Sequence, residues 1–197
     1  MIPERLSVKF FAHEPGEIDL SKFVAIYQNW IQNHTVEGLL IDAADYKHVP
    51  NGPGVMLIGH EGDYSFDMGD GRPGVMYTRK RIRPNNLQDY LVLVFRLVLS
   101  AAKEMETDKR LNGIKFDYSE ARITFLDRLN TPNTPESLAA LQGELSSFLS
   151  QLYESDTLTI QLAHSDPREC LAVTVKAEAV NAEILLERLQ ALQPAAG

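Results

Sequence analysis

The residues of this chain that could do chemistry gather between Leu39 and Asp67, in LLIDAADYKHVPNGPGVMLIGHEGDYSFD. The stretch holds four aspartates, a glutamate, two histidines and two tyrosines around a Gly52-Pro53-Gly54 bend. Imidazole beside carboxylate can relay a proton or, with further oxygen ligands, hold a divalent metal ion. His60 and Glu61 are therefore the candidates for acid–base catalysis. Asp42, Asp45, His48 and Tyr64 are the candidates for holding a ligand, with Arg79 from the basic run Arg79-Lys80-Arg81 as a cationic contributor.

Each candidate also has an ordinary reading. Aspartates near turns accept backbone N–H bonds, and a histidine can be satisfied by one neighbouring carboxylate. Tyr64 and Tyr77 facing each other would be cross-strand packing, and surface arginines pair with acidic residues. Spacing narrows the chemistry further. Asp63-Tyr64 follows His60-Glu61, so there is no H-E-x-x-H zinc motif. Gly52-Pro53-Gly54 leads into a strand with no Lys-Ser or Lys-Thr behind it, which argues for a rigid turn over a phosphate loop. No Gly-x-Ser-x-Gly elbow is present, nor a Rossmann fingerprint, which needs a strand-to-helix setting. The motifs identify neither a cofactor nor a reaction.

The elements that must position these groups are legible from periodicity. Leu6, Val8 and Phe10 alternate with Ser7, Lys9 and Phe11, which predicts a strand over 6–12. Asp19 is a helix cap, followed by Leu20, Phe23, Val24, Tyr27, Trp30 and Ile31 at helical spacing up to His34. Strands are expected over 39–46 and 55–60, with a hairpin of 64–68 and 75–82 around Gly69-Asp70-Gly71. With Gly59 opposite Asp42, the hairpin 39–60 would draw Asp42, Asp45, His60 and Glu61 into one neighbourhood. Asn86 caps a helix over 87–107 that is apolar nearly all round from 90 to 99 except at Arg96, so it should be buried on several sides or at a homodimer interface. Strands 114–118 and 122–126 are expected to join through a tight Ser119-Glu120 turn. Thr134-Pro135 opens a third helix, 157–163 and 170–176 form a hairpin, and 182–192 is a last amphipathic helix.

This order repeats, and it predicts an α+β fold of antiparallel sheets covered by helices, as two ferredoxin-like βαββαβ-type halves in tandem. The first half, 1–119, carries the inserted hairpin and the candidate site; the second, 120–197, is scaffold, and the two pack together or separately.

Composition sets the outer bounds. The 197 residues carry a formal net charge of −8, with pI near 5.1, which argues against nucleic-acid or anionic-membrane partners. Apolar residues make up 44% and charged residues 23%, as expected of a globular core. Cys170 is the single cysteine, so neither an internal disulfide nor a multi-cysteine metal site is available. MIPERLSVKF shows no signal-peptide core, and the apolar run Leu91–Leu99 is too short for a bilayer. A soluble cytoplasmic protein is the expectation.

The residues Asp42-Ala-Ala-Asp45-Tyr46-x-His48-Val49 and Gly52-Pro53-Gly54-Val55-Met56-Leu57-Ile58-Gly59-His60-Glu61-x-Asp63-Tyr64 resemble a family of uncharacterised bacterial proteins. The resemblance covers mainly the first 85 residues and implies no activity, mechanism or cofactor. The residues therefore point first to a module that binds a small molecule or a divalent metal around 42–64. An enzyme using His–carboxylate chemistry, such as metal-assisted hydrolysis, is the second reading. A structural homodimer joined through helix 87–107 is the third.

Overall fold

A computed structural model describes residues 2–13 and 18–193. Eight strands form one antiparallel sheet: β1 (Leu6–Ala12), β2 (Leu40–Asp45), β3 (Val55–Gly59), β4 (Gly62–Asp67), β5 (Gly74–Arg79), β6 (Phe116–Phe125), β7 (Thr159–Leu162) and β8 (Leu171–Lys176). Their order across the sheet is β2-β3-β4-β5-β1-β6-β8-β7. Four α-helices accompany them: α1 (Ser21–Asn33), α2 (Leu87–Thr107), α3 (Pro135–Tyr153) and α4 (Ala182–Ala191). The α+β class expected from the sequence is what the structure shows. No described helix is long and apolar enough to cross a membrane.

The helix boundaries follow local chemistry. Asn86, Thr134 and Asn181 each accept a hydrogen bond from the backbone N–H three residues on, which satisfies a donor the first helical turn leaves free. Asp19 acts one residue earlier than a formal cap, accepting from the Ser21 N–H at 3.0 Å. α1 stops at His34, whose φ of +50° takes it out of the helix.

The helices lie on one face of the sheet, and the alternation of each strand decides which side chains meet them. Leu6, Val8 and Phe10 of β1, Tyr64 and Phe66 of β4, Ile123 and Phe125 of β6 and Val173 and Val175 of β8 are all buried there. The aromatic rings interlock this layer. Phe95 of α2 meets Phe10 edge-on at 5.9 Å and Phe148 of α3 at 5.2 Å, and Phe23 of α1 stacks on Phe66 at 4.3 Å. α2 lies over β1 and β5 and beside α3 and α4. That setting accounts for its apolar circumference inside one chain, leaving Leu93, Arg96 and Ser100 as its half-buried outer line.

Two sequence expectations change. Ser119-Glu120 is not a turn: β6 runs unbroken from Phe116 to Phe125. Its pairing with β1 jumps from Phe10↔Ala121 to Phe11↔Asp117, so Tyr118, Ser119 and Glu120 leave the β1 ladder, while Glu120 stays paired with Lys176 of β8. β6 thus crosses the boundary expected at 119, and its partners β1 and β8 belong to the two expected halves. The sheet does carry a repeated plan: a strand, a helix, then a meander that returns beside the first strand. β1-α1 is followed by β2 to β5, and β6-α3 by β7 and β8. A tandem of ferredoxin-like halves is a finer statement than this strand order establishes.

Candidate functional site

The Leu39–Asp67 stretch forms β2, β3 and most of the β4 hairpin, but its reactive side chains do not converge. The β2–β3 register is Asp45↔Val55, Ala44↔Met56, Ala43↔Leu57 and Asp42↔Ile58, then it slips to Leu40↔Gly59. Asp42 thus pairs with Ile58, one residue off the expected Gly59, and Ile41 is an extra residue that sets Gly59 opposite Leu40. Asp45 and His48 consequently sit at one end of β3, and His60 and Glu61 at the other. Five strand residues lie between them, which at ~3.3 Å per residue separates the two groups by about 15 Å.

At the first end, exposed Asp45 caps the loop, accepting from the Lys47 N–H at 2.9 Å and pairing with the Lys47 amine at 3.0 Å. Those bonds hold its carboxyl below the usual range. His48 is exposed, with its ring 6.4 Å from that of Tyr46. Asp42, opposite Ile58 and so nearer the other end, is exposed, and among the described residues its carboxylate accepts only from the Ala43 N–H, at 2.8 Å. At the second end, His60 and Glu61 form the two-residue β3–β4 turn. His60 Nδ1 lies 3.2 Å from Arg81 Nη1. The Glu61 carboxylate accepts from the Leu39 N–H at 3.3 Å, a bond that keeps its pKa low.

Tyr64 belongs to the helix-facing core. Its hydroxyl donates to the Glu37 carbonyl at 2.8 Å, its ring lies 4.6 Å from Tyr77, and burial raises its pKa beyond any titration range of a working base. Arg79 hydrogen-bonds the Ile82 carbonyl and the Tyr77 hydroxyl. Among the described residues no group of three or more His, Cys, Asp and Glu side chains is gathered as a metal centre would require.

A different constellation occupies the opposite face of the sheet, where no described helix lies. Strand register aligns its side chains in rows. Ser65, Met76, Lys9, Arg122 and Thr174 are successive neighbours across β4, β5, β1, β6 and β8. Asp63, Thr78, Ser7, Thr124 and Ala172 form the next row. Toward β3 the face turns apolar with Met56 and Ile58. Although uncovered by helices, Ser7, Lys9, Ser65 and Thr174 are only 2–7% exposed. The hydroxyls of Ser7, Ser65, Thr124 and Thr174 make no hydrogen bond to another described residue, yet none is sealed from solvent.

The tip of the β4–β5 hairpin folds over one end of this face and is tied down by charge. Lys9 Nζ donates to Asp67 at 2.5 Å and to the Gly69 carbonyl at 3.3 Å. Asp70, at the tip with φ +59°, pairs with Arg122 Nη1. Arg72 donates to Glu120 at 2.6 Å and stacks its guanidinium 3.6 Å above the Phe11 ring, a close cation–π contact. Gly69-Asp70-Gly71-Arg72-Pro73-Gly74 has the glycine spacing of a dinucleotide loop, but it joins two antiparallel strands with no helix behind it.

The electrostatics here are not those of a solvated surface. Burial pushes the Lys9 amine below the ordinary lysine range; the Asp67 carboxylate opposes that shift, and the neighbouring Arg122 guanidinium adds to it. Arg122 gives one donor to Asp70, while its Nε–H is buried with no acceptor. Leaving such a donor unpaired costs about 1–3 kcal/mol. At the far edge, Asp63 accepts from Lys80 Nζ at 2.8 Å and from the Gly59 N–H at 3.2 Å.

None of Lys9, Arg122, Ser7, Ser65 or Thr174 was among the sequence candidates. The available signal was Lys9 itself, a charge inside the apolar run LSVKFFA. A separate hollow of about 390 Å³ lies on the helix layer, lined by Pro84, Asp89, Val92, Leu93, Arg96 and Gln193. Its one guanidinium, Arg96, is held by Glu37 through bonds of 2.6 and 3.0 Å.

Compared with protein-family models, curated proteins and solved structures, the chain matches none of them. The functional reading therefore rests on the geometry above.

Proposed function

We propose that this chain is a small-molecule-binding module whose site is the helix-free face of the sheet. The observation that carries the reading is a set of sheltered polar groups without protein partners. The hydroxyls of Ser7, Ser65, Thr124 and Thr174 reach solvent unbonded, beside the unpaired Arg122 Nε–H. Buried polar groups are ordinarily satisfied, and groups left open together on one surface are what a polar ligand completes. The site takes its edge from the stretch singled out by sequence, since Asp42, Met56, Ile58 and Asp63 lie on this same face.

A second reading, acid–base catalysis, is favoured by one observation. Lys9 is an amine held below its ordinary pKa by burial, in contact with a carboxylate, on the same face. Catalysis there would use Lys9 in the role the sequence suggested for His60.

Thermal unfolding in the presence of a panel of small polyols, carboxylates and phosphates tests the binding reading. At least one class is expected to raise Tm in a concentration-dependent way. The double substitution Ser65→Ala/Thr124→Val, which removes two open hydroxyls without removing a hydrogen bond, is expected to abolish that rise. A panel with no stabilising member, or a rise that survives the double substitution, would overturn it.

A further inference from the structure

We propose that the occupant of the helix-free face carries an oxyanion that binds Arg122, and that the Asp70 carboxylate is its built-in competitor. The inference rests on the binding reading above and names the chemistry of its ligand. It starts from Arg122, whose guanidinium offers five donors in a rigid fork suited to carboxylate or phosphate. Among the described residues only Nη1 has a protein acceptor, and that acceptor is Asp70 on the hairpin tip. Nε, on the other side of the fork, is buried and unpaired. Lys9 lies one strand over and Thr174 one strand the other way, in the same row. A ligand oxyanion seated here would meet two cationic groups and two or three free hydroxyls.

Asp70 is poorly placed to be a permanent partner. Its side chain is 63% exposed, and it stands on a short loop at a positive φ of 59°. Arg122 is only 16% exposed, so the asymmetry of the pair leaves Asp70 as the partner that solvent, or a carboxylate from outside, can replace. The replacement can take Nη1 together with the adjacent Nη2, two donors aligned for a single oxyanion. The other ties of the hairpin, Lys9–Asp67 and Arg72–Glu120, flank this contact. Asp70 is thus an internal stand-in for the ligand's charged group, and occupancy of the site is coupled to the position of residues 69–72.

The test follows the Arg122 Nε–H resonance and the backbone amides of the full chain by ¹H–¹⁵N NMR, with inorganic phosphate and with acetate as separate probes. At least one of them is expected to shift the Arg122 Nε–H signal together with the Asp70 and Gly71 amides. A response to phosphate alone identifies a phosphoryl group as the ligand's anion, and a response to acetate alone a carboxylate; a response to both supports the shared oxyanion chemistry. Asp70→Asn, at an exposed position, is expected to tighten binding by about two- to fivefold, the scale of an exposed ion pair. Arg122→Lys keeps the charge, removes the fork and is expected to lose the anion-dependent shifts of the Asp70 and Gly71 amides, with an otherwise unchanged amide spectrum showing that the fold is intact. Absence of any Arg122 response to either anion, or an Asp70→Asn chain that binds no more tightly, would overturn the proposal. If neutral polyols still move the Ser65 and Thr124 amides, the binding module stands with a different ligand class; if they do not, the module falls as well.

Discussion

Replacing Lys9 by methionine probes the charged end of the open face most sharply. The side chain keeps its length and loses its charge. Lys9 is 4% exposed and Asp67 13% exposed, with 2.5 Å between amine and carboxylate. Removing one partner of a buried ion pair typically costs about 3–5 kcal/mol, because the other charge is left unpaired. Asp67 would keep the Gly69 N–H at 3.0 Å and a little solvent, which places the expected loss at the low end, about 3 kcal/mol. For a chain of this length that corresponds to a fall in Tm of about 6–12 °C. Urea unfolding followed by circular dichroism should give the same loss with an unchanged m-value. The double variant Lys9→Met/Asp67→Asn should recover most of it, since neither charge is then stranded. A Lys9→Met chain within about 0.5 kcal/mol of wild type, the range of an ordinary surface change, would refute the reasoning and make Lys9 a solvated side chain.

Three further outcomes are expected. Phe95→Ala removes the ring that joins Phe10 to Phe148 and should destabilise by about 3–5 kcal/mol in denaturant titrations. His60→Ala, at the β3–β4 turn beyond the rows of open hydroxyls, should leave Tm within about 2 °C and leave ligand affinity unchanged; lost binding would return the site to that turn. Glu37 is held below its ordinary pKa of 4.5 chiefly by its hydrogen bonds to Arg96. A depressed folded-state pKa gives stability that is present above the unfolded pKa and disappears as pH falls through the folded one. Glu37→Gln should therefore lower stability at neutral pH and flatten its decline below about pH 4.5, read from unfolding midpoints across the acid range.

The parts of this fold that depend on neighbours in sequence were legible. The alternation of Leu6 to Phe11, the helix period of α1 and α2, and the caps Asn86 and Thr134 all stand as their residue types imply. What failed to show was pairing between distant segments. A one-residue difference in the β2–β3 register and an extra residue at Ile41 changed which groups His60 could meet, and no local rule places either. Ser119-Glu120 carried turn chemistry but became an irregularity within one strand, where Asp117 accepts from the Ser119 N–H and hydroxyl. Lys9, Asp67 and Arg122 are separated by more than fifty residues at each step and meet only because β1 lies at the sheet's centre. The dense cluster at 39–67 drew the eye because it is local. The sheltered groups on the open face come from four strands, each contributing one or two unremarkable residues.

The central claim is that the helix-free face, and not the β3–β4 turn, receives the ligand. Amide chemical-shift mapping with the stabilising member of the ligand panel tests it directly. The account predicts that Ser7, Ser65, Thr124, Thr174 and the tip around Asp70 move together while the helix layer stays still. Shifts confined to His60 and Glu61, or to the hollow beside Leu93 and Arg96, would contradict it.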